Sequence, residues 1–289
     1  MSAAPTTRPT TPERTDMTGM TTTTATRPTG PSRPARLRAA AGAEARLLVR
    51  NRTAVFNSVL MPLLLVAAVP ALGIGGGEVG LGPTLLTAAV VISLVYLTYY
   101  NLVTTYVARR EDLVLQRMRT GELSDGEVLA ATAVPTLLVT VGQLVVVTAG
   151  VVALGEWSAP VQPLLVVVGV LAGLVLMVLL AIASTGFTRT AESAQITTLP
   201  IVLVSSALSG MFFPLSTLPE WLSGIARFLP VTPVVDLLHL GFSGTTWEGE
   251  PIGDVSVWTW AVFPAGVLVA WIVVAAVLAR RGFRWAPRR

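Results

Sequence analysis

Charged and polar side chains gather in two stretches of this chain, and each allows a different chemistry. Residues 108–128, ARREDLVLQRMRTGELSDGEV, set Arg109, Arg110, Glu111, Arg117 and Arg119 around a stripe of Val114, Leu115 and Met118 at helical spacing. A short amphipathic helix of mixed charge suits docking into a groove of another protein, while an ordinary solvated loop carries the same kind of composition. Ser124 followed by Glu127 reads as a capping box, in which each side chain satisfies a backbone donor at the start of the next helix. The second stretch, residues 205–244, holds His239, the only histidine, among leucines. With no partner evident, that imidazole reads as a packed side chain and not as a base or metal ligand.

What the chain lacks narrows the chemistry further. There is no cysteine, so a disulfide framework, a thiolate metal site and a cysteine nucleophile are all excluded. All twenty basic residues are arginine, which removes the phosphate-loop lysine, the Schiff-base lysine and the serine–lysine dyad. The chain therefore does not hydrolyse ATP alone, and neither catalytic nor metal-binding residues are expected. Gly75-Gly76-Gly77-Glu78-Val79-Gly80 fits a dinucleotide fingerprint only in its letters, because it lies between apolar runs with no strand around it.

The elements that must position these residues are membrane spans. Hydrophobic residues make up 53% of the chain and charged residues 12%, the balance of a polytopic membrane protein. We expect an all-α fold with six spans, at residues 54–72, 85–107, 128–153, 163–187, 196–213 and 257–278. Pro62, Pro135, Pro200 and Pro264 fall inside four of them and each frees a backbone carbonyl. Gly169 and Gly173 form a small-xxx-small face suited to close helix contact.

Arginine placement orients the bundle. Fifteen arginines flank one set of span ends, among them Arg36, Arg38, Arg46, Arg50 and Arg52 before the first span and five after the last, against Arg227 alone on the other side. The positive-inside rule then puts both termini in the cytoplasm, and it accounts for the basic character without nucleic acid as a partner. Residues 1–34 carry almost no large apolar side chain and are expected to be a disordered cytoplasmic tail, with Met17 and Met20 as alternative starts. The first apolar run begins near Ala54, too late for a secretory signal. Residues 35–53 read as an arginine-rich interfacial helix on the bilayer or as a cytosolic extension of the first span.

Residues 205–244 open as the end of an apolar run and break at Pro214 into two short amphipathic segments. Thr217 and Glu220 predict a capping box for the first, with Trp221, Ile225 and Phe228 on one face. Thr232 and Pro233 predict the start of the second, because proline in a first turn has no amide to leave unsatisfied. Val234, Leu237 and Leu238 form its apolar face, and Gly241 ends it. Neither segment is long enough to cross about 30 Å of hydrocarbon, so together they are predicted to be an extracytoplasmic re-entrant lid.

Polar residues inside the spans allow two roles. Asn57, Ser58, Tyr99, Tyr100, Asn101, Gln143 and Thr197 are suited to contacting cargo along a path, or to interhelical hydrogen bonds worth about 0.6 kcal/mol on average. No span centre carries a firmly placed ionisable side chain, which counts against a proton or ion relay.

Several motifs together resemble the type-2 ABC exporter permeases, the group that includes daunorubicin-type drug exporters and polysaccharide exporters. Arg50-Asn51-Arg52 ahead of Pro62 resembles the approach to that family's first span. Gln116-Arg117-Met118-Arg119-Thr120-Gly121 is similar to its KRLR-like basic run, and Glu111 to the acidic residue upstream. Ser209-Gly210-Met211-Phe212-Phe213-Pro214-Leu215 is the most specific match, followed at family spacing by Leu218-Pro219-Glu220-Trp221-Leu222 and Pro230-Val231-Thr232-Pro233. The chain departs from the pattern at Glu122, where relatives often carry proline, and at Leu113-Val114, where many have Gly-Thr or Gly-Val.

The resemblance implies a machine of two permease copies and two separate ATPase subunits, with ATP and Mg bound by the partner and no cofactor bound by this chain. It implies that Arg109, Arg110, Glu111, Arg117, Met118 and Arg119 couple to the ATPase from the loop. It places Gly210, Phe212, Phe213, Pro214, Pro219, Trp221, Pro230 and Pro233 in the lid, and a substrate path past Asn57, Tyr100, Asn101 and Thr197. Export of a drug, antibiotic or lipid-like molecule across a bacterial plasma membrane is the function expected. An ion-coupled secondary transporter and an intramembrane enzyme are the alternatives.

Overall fold

The computed structural model describes residues 79–119, 124–211, 215–246, 251–252 and 256–286, with Gly42, Arg46, Leu60, Leu63, Leu64, residues 66–68, Pro70 and Ala71 besides. The expected tail, most of the interfacial segment and most of the first span lie outside them, as do Asn57, Phe212, Phe213 and Pro214. Where the first span is described it is helical, and Val66 is buried in the core.

Helix α1 runs over Leu81–Glu111 and contains a π-helical stretch, Ser93–Tyr100. A short helix α2, Val114–Arg119, follows it. Helices α3 (Asp125–Ala153) and α4 (Pro163–Thr185) come next, then α5 (Ala191–Leu208), a 3-10 turn at Leu215–Thr217, α6 (Glu220–Ala226), α7 (Thr232–Phe242) and α8 (Val257–Gly282). Five of these, α1, α3, α4, α5 and α8, are long and apolar enough to cross a membrane. At 1.5 Å per residue α7 reaches only about 16 Å and does not cross.

Local signals explain most boundaries. Ser124 and Glu127 form the expected capping box, with the Ser124 amide donating to the Glu127 carboxylate at 2.8 Å. Thr190 and Ser193 form a second box that starts α5 five residues ahead of the expected boundary at 196. That helix also stops at Leu208, short of the expected 213, because Gly210 turns the chain at φ +79°. The box expected from Thr217 and Glu220 does not form. Thr217 closes the 3-10 turn, and Pro219, extended at φ −54° and ψ 142°, precedes the first helical residue, Glu220. Thr232 is the first helical residue of α7, one position inside its expected capping role.

Helix α4 is the hub, packed against α1, α7 and α8. Its small-xxx-small face is used twice. A Cβ on Gly169 would lie 3.3 Å from Leu237 Cβ, and one on Gly173 would lie 2.8 Å from Leu94 and 3.3 Å from Val234. Farther along α7, a Cβ on Gly241 would lie 2.7 Å from Val166, and the Gln162 amide donates to the Gly241 carbonyl at 2.9 Å. Val234 therefore meets Gly173 while Gly241 meets Val166, so α7 runs antiparallel to the first half of α4. The Thr232 hydroxyl reaches the Leu208 carbonyl at 3.5 Å, which joins the end of α5 to the start of α7. Part of the leucines and valines along α3 and α8, such as Leu138, Val145, Val262 and Val269, face outward, as expected where lipid or a second helix bundle provides the surroundings.

Candidate coupling site and lid

At one end of the bundle, two adjacent residues in the last turn of α1 hold the α4–α5 turn. Arg110 is 1% exposed. Its guanidinium donates to the carbonyls of Thr185 at 2.9 Å, Thr188 at 2.6 Å and Arg189 at 3.1 Å. Those acceptors include the last residue of α4, where helix carbonyls lack intrahelical donors and the dipole favours a cation. The Glu111 carboxylate accepts from the amide of Ala191, the first residue of α5, at 3.0 Å, where the dipole has the opposite sign. Both side chains thus face the α4–α5 turn from within this chain.

Helix α2 follows this clamp in the chain and packs against the last part of α1. The turn before it holds Leu113 at φ +59°, in the left-handed region that favours glycine. Leu115 is fully buried, Met118 half-buried and Arg117 exposed, so the expected stripe separates apolar from charged faces. The Gln116 amide donates to the Trp285 carbonyl at 3.3 Å, and Phe283 packs edge-to-face on both Tyr106 and Trp285. The segment after α8 therefore braces α2 from a second side. Sequence reasoning missed this brace, although two aromatics among arginines after the last span were its available signal.

The expected path residues are scattered in their roles. Thr197 shares a 2.8 Å hydrogen bond with Thr188, which ties α5 to the turn before it, and Tyr99 shares one of 3.0 Å with Ser184, which ties α1 to α4. Tyr100 and Asn101 are half-buried on α1. Gln143 is 1% exposed, with neither amide atom bonded among the described residues.

At the other end, Trp221 and Ile225 on α6 and Phe228 just beyond it are all exposed. Phe228 packs edge-to-face on Phe263, and its carbonyl accepts from the Trp271 indole at 2.7 Å, which fixes the α6–α7 connection against α8. Pro230 and Pro233 are buried, whereas Pro219 is exposed and Gly210 half-buried. Arg227, at the end of α6, and Asp236, on α7, line one cavity of about 140 Å³ with Leu240, Thr246, Trp260 and Phe263. Asp236 is 6% exposed, and burial pushes its carboxyl up to about 7, with Arg227 opposing the shift. Burial lowers the His239 imidazole to about 4, which keeps it neutral at physiological pH. No group of histidines, aspartates and glutamates that could hold a metal exists among the described residues.

Five long apolar helices, with a charged helix braced at one end, define a multi-pass membrane protein of all-α architecture. Residues 48–280 match the family described as ABC-2 family transporter protein, and the chain belongs to it. It is thus an ABC-2 type permease, of a kind that normally works with an ATPase partner. No curated protein matches the chain.

Proposed function

We propose that this chain is the membrane-spanning half of an ATP-driven exporter, moving a hydrophobic or amphipathic drug, antibiotic or lipid-like cargo out of a bacterial cell. Helix α2 is the docking element for a separate ATPase, which binds ATP and Mg. The observation that carries this reading is the exposed Arg117 and half-buried Met118 on a short helix whose neighbours Arg110 and Glu111 grip the α4–α5 turn. A push on α2 reaches α5 through that grip, and α5 ends where the lid helix α7 begins. Arg109, Arg117, Met118 and Arg119 meet the partner in this scheme, and Arg110 and Glu111 transmit.

The functional unit is two permease copies with two ATPases, each permease having six spans, cytoplasmic termini and a re-entrant lid made by α6 and α7. The antiparallel packing of α7 on the first half of α4 supports the re-entrant course. Within the five long helices every Asp, Glu and Arg lies in a first or last turn, which disfavours an ion-coupled mechanism.

The test is a pull-down of the tagged chain from gentle detergent, with mass spectrometry of what accompanies it. A stoichiometric ABC-type ATPase is expected, and it should be lost on Arg117→Glu with Arg119→Glu while membrane insertion persists. Absence of any nucleotide-binding partner across several mild extractions would remove the motor and the reading with it. In this cysteine-free chain, Ser216→Cys and Ser158→Cys should label from outside intact cells with an impermeant thiol reagent. Labelling only after lysis would reverse the orientation.

A further inference from the structure

The cavity of Arg227 and Asp236 does not stand alone. Phe263 forms part of its wall and also part of a second, open hollow of about 460 Å³. The second hollow is a groove along α8 between Val262 and Val274, with Phe228 on its far bank and no charged side chain in its lining. Twelve residues of helix separate those valines, about 18 Å, close to the thickness of one leaflet of a hydrocarbon core about 30 Å deep. The polar cavity sits at the N-terminal end of α8, where Trp258 and Trp260 are both partly exposed, the placement of an interfacial aromatic belt.

Burying a carboxylate in an apolar helix is costly unless something in the site rewards it. Asp236 is the only acid on α7, and Arg227 is the only arginine between Arg189 and Arg280. Nine residues apart, these two charges line one small cavity, with Thr246 beside them and aromatic walls around. A guanidinium and a carboxylate within one cavity complement a phosphate and an ammonium carried on one short linker. Aromatic faces beside an ammonium add to the attraction.

We propose that the Arg227–Asp236 cavity and the α8 groove form one binding site for a zwitterionic glycerophospholipid of the bilayer. The phosphate pairs with Arg227, the ammonium with Asp236 against Trp260, and one acyl chain lies along the groove past Phe263 toward Val274. The site draws on the multi-pass architecture and not on the direction of transport, so the lid is anchored to α8 by a lipid whether or not the cargo is one. A neutral head engages neither charge and a singly charged head only one, so the site discriminates against both.

The experiment uses the full chain in a neutral detergent at pH 8, with lipid retention read by native mass spectrometry. The probes are phosphatidylethanolamine, phosphatidylglycerol and diacylglycerol of matched chains. Phosphatidylethanolamine should be retained about tenfold more tightly than diacylglycerol, a difference of about 1.4 kcal/mol. Asp236→Asn should abolish the preference for phosphatidylethanolamine over phosphatidylglycerol, and Arg227→Gln the preference of both over diacylglycerol. Soluble phosphoethanolamine, which lacks chains, should not compete. Equal retention of the three lipids would overturn the proposal, as would competition by the soluble head group or unchanged preferences in the variants. A readout in the unmodified chain guards against variants that fail to fold. Phosphatidylethanolamine with brominated chains should quench tryptophan fluorescence saturably, and brominated diacylglycerol only in proportion to its mole fraction. Identical quenching curves would defeat the proposal.

Discussion

Arg110 and Glu111, neighbours in α1, cap opposite ends of two other helices. The arginine donates to the last carbonyl of α4 and to the turn beyond it, and the glutamate accepts from the first amide of α5. An adjacent pair of opposite charges thereby matches a helix C-terminus and a helix N-terminus at once. The arrangement turns three separate helices into one unit at the base of the bundle.

That relationship sets the first prediction. Arg110→Ala leaves three carbonyls without their donor, those of Thr185 and Thr188 in buried bonds, and should destabilise the protein by about 2–4 kcal/mol. Glu111→Gln keeps an acceptor and removes only charge, so its effect should stay near 0.5–1 kcal/mol. Thermal melting in detergent separates the two. Equal small shifts would mean that the clamp contributes little.

Leu113 offers a change in the opposite direction. Its φ of +59° costs an L-residue roughly 1–2 kcal/mol, and its side chain is 40% exposed, so little burial is lost with it. Leu113→Gly should raise stability by about 1 kcal/mol and sharpen the start of α2. A lowered melting temperature would show that the leucine's contacts outweigh the strain. The backbone shows why glycine suits this position.

Much of the fold is legible in the amino-acid sequence. Long apolar runs with Ser124-Glu127 at a boundary locate α3 within three residues, because helix caps and hydropathy act locally. The Gly169–Gly173 face is visible too, but not its partner, since nothing in α4 specifies that α7 fills it. Arg110 resembles a surface coupling residue because its neighbours Arg109 and Glu111 are also charged. Its burial depends on carbonyls 75 to 79 positions away, which no local pattern reveals. The joining of Arg227 to Asp236 is hidden for a different reason: they are only nine residues apart, but the turn between α6 and α7 that sets their geometry carries no pattern that fixes it.

Helix α4 supplies a contrast between glycines. Gly173→Ala would place a methyl 2.8 Å from Leu94 and 3.3 Å from Val234, and should cost about 1–3 kcal/mol as α7 is pushed off its seat. Gly142 and Gly150 of α3 have nothing within 4 Å of the same position, and alanine there should stabilise by up to about 1 kcal/mol through helix propensity. Similar responses at all three would mean that α7 is not held by this close approach.

The last prediction concerns pH. Asp236 in the folded protein keeps its proton up to about 7, well above the ordinary carboxylate value of 3.8. The unfolded chain gives that proton up near pH 4, so this group's contribution to stability is full below pH 4 and is lost as pH rises through 7. His239 works the other way. Its imidazole is lowered to about 4 from 6.5, so its contribution is present above 6.5 and is lost as pH falls through 4. Of the elements packed on α7, α4 and the Leu81–Ile92 stretch of α1 carry no ionisable side chain and those of α8 lie at its far end, leaving Arg227, among the described residues, as the charge that faces the carboxyl. Between pH 6.5 and 8 the remaining loss at Asp236 outweighs the remaining gain at His239 by less than about 1 kcal/mol, and the melting temperature of the unmodified protein should drop there by about 1–2 °C, at roughly 2–4 °C per kcal/mol. Asp236→Asn should remove that drop and melt higher at pH 8, while binding zwitterionic lipid less well. A variant that is at once more stable and blind to the head group would show that the buried carboxylate is kept for recognition at the expense of stability. A variant that melts lower at pH 8 would instead make the ionised Arg227–Asp236 pair a structural support of the lid.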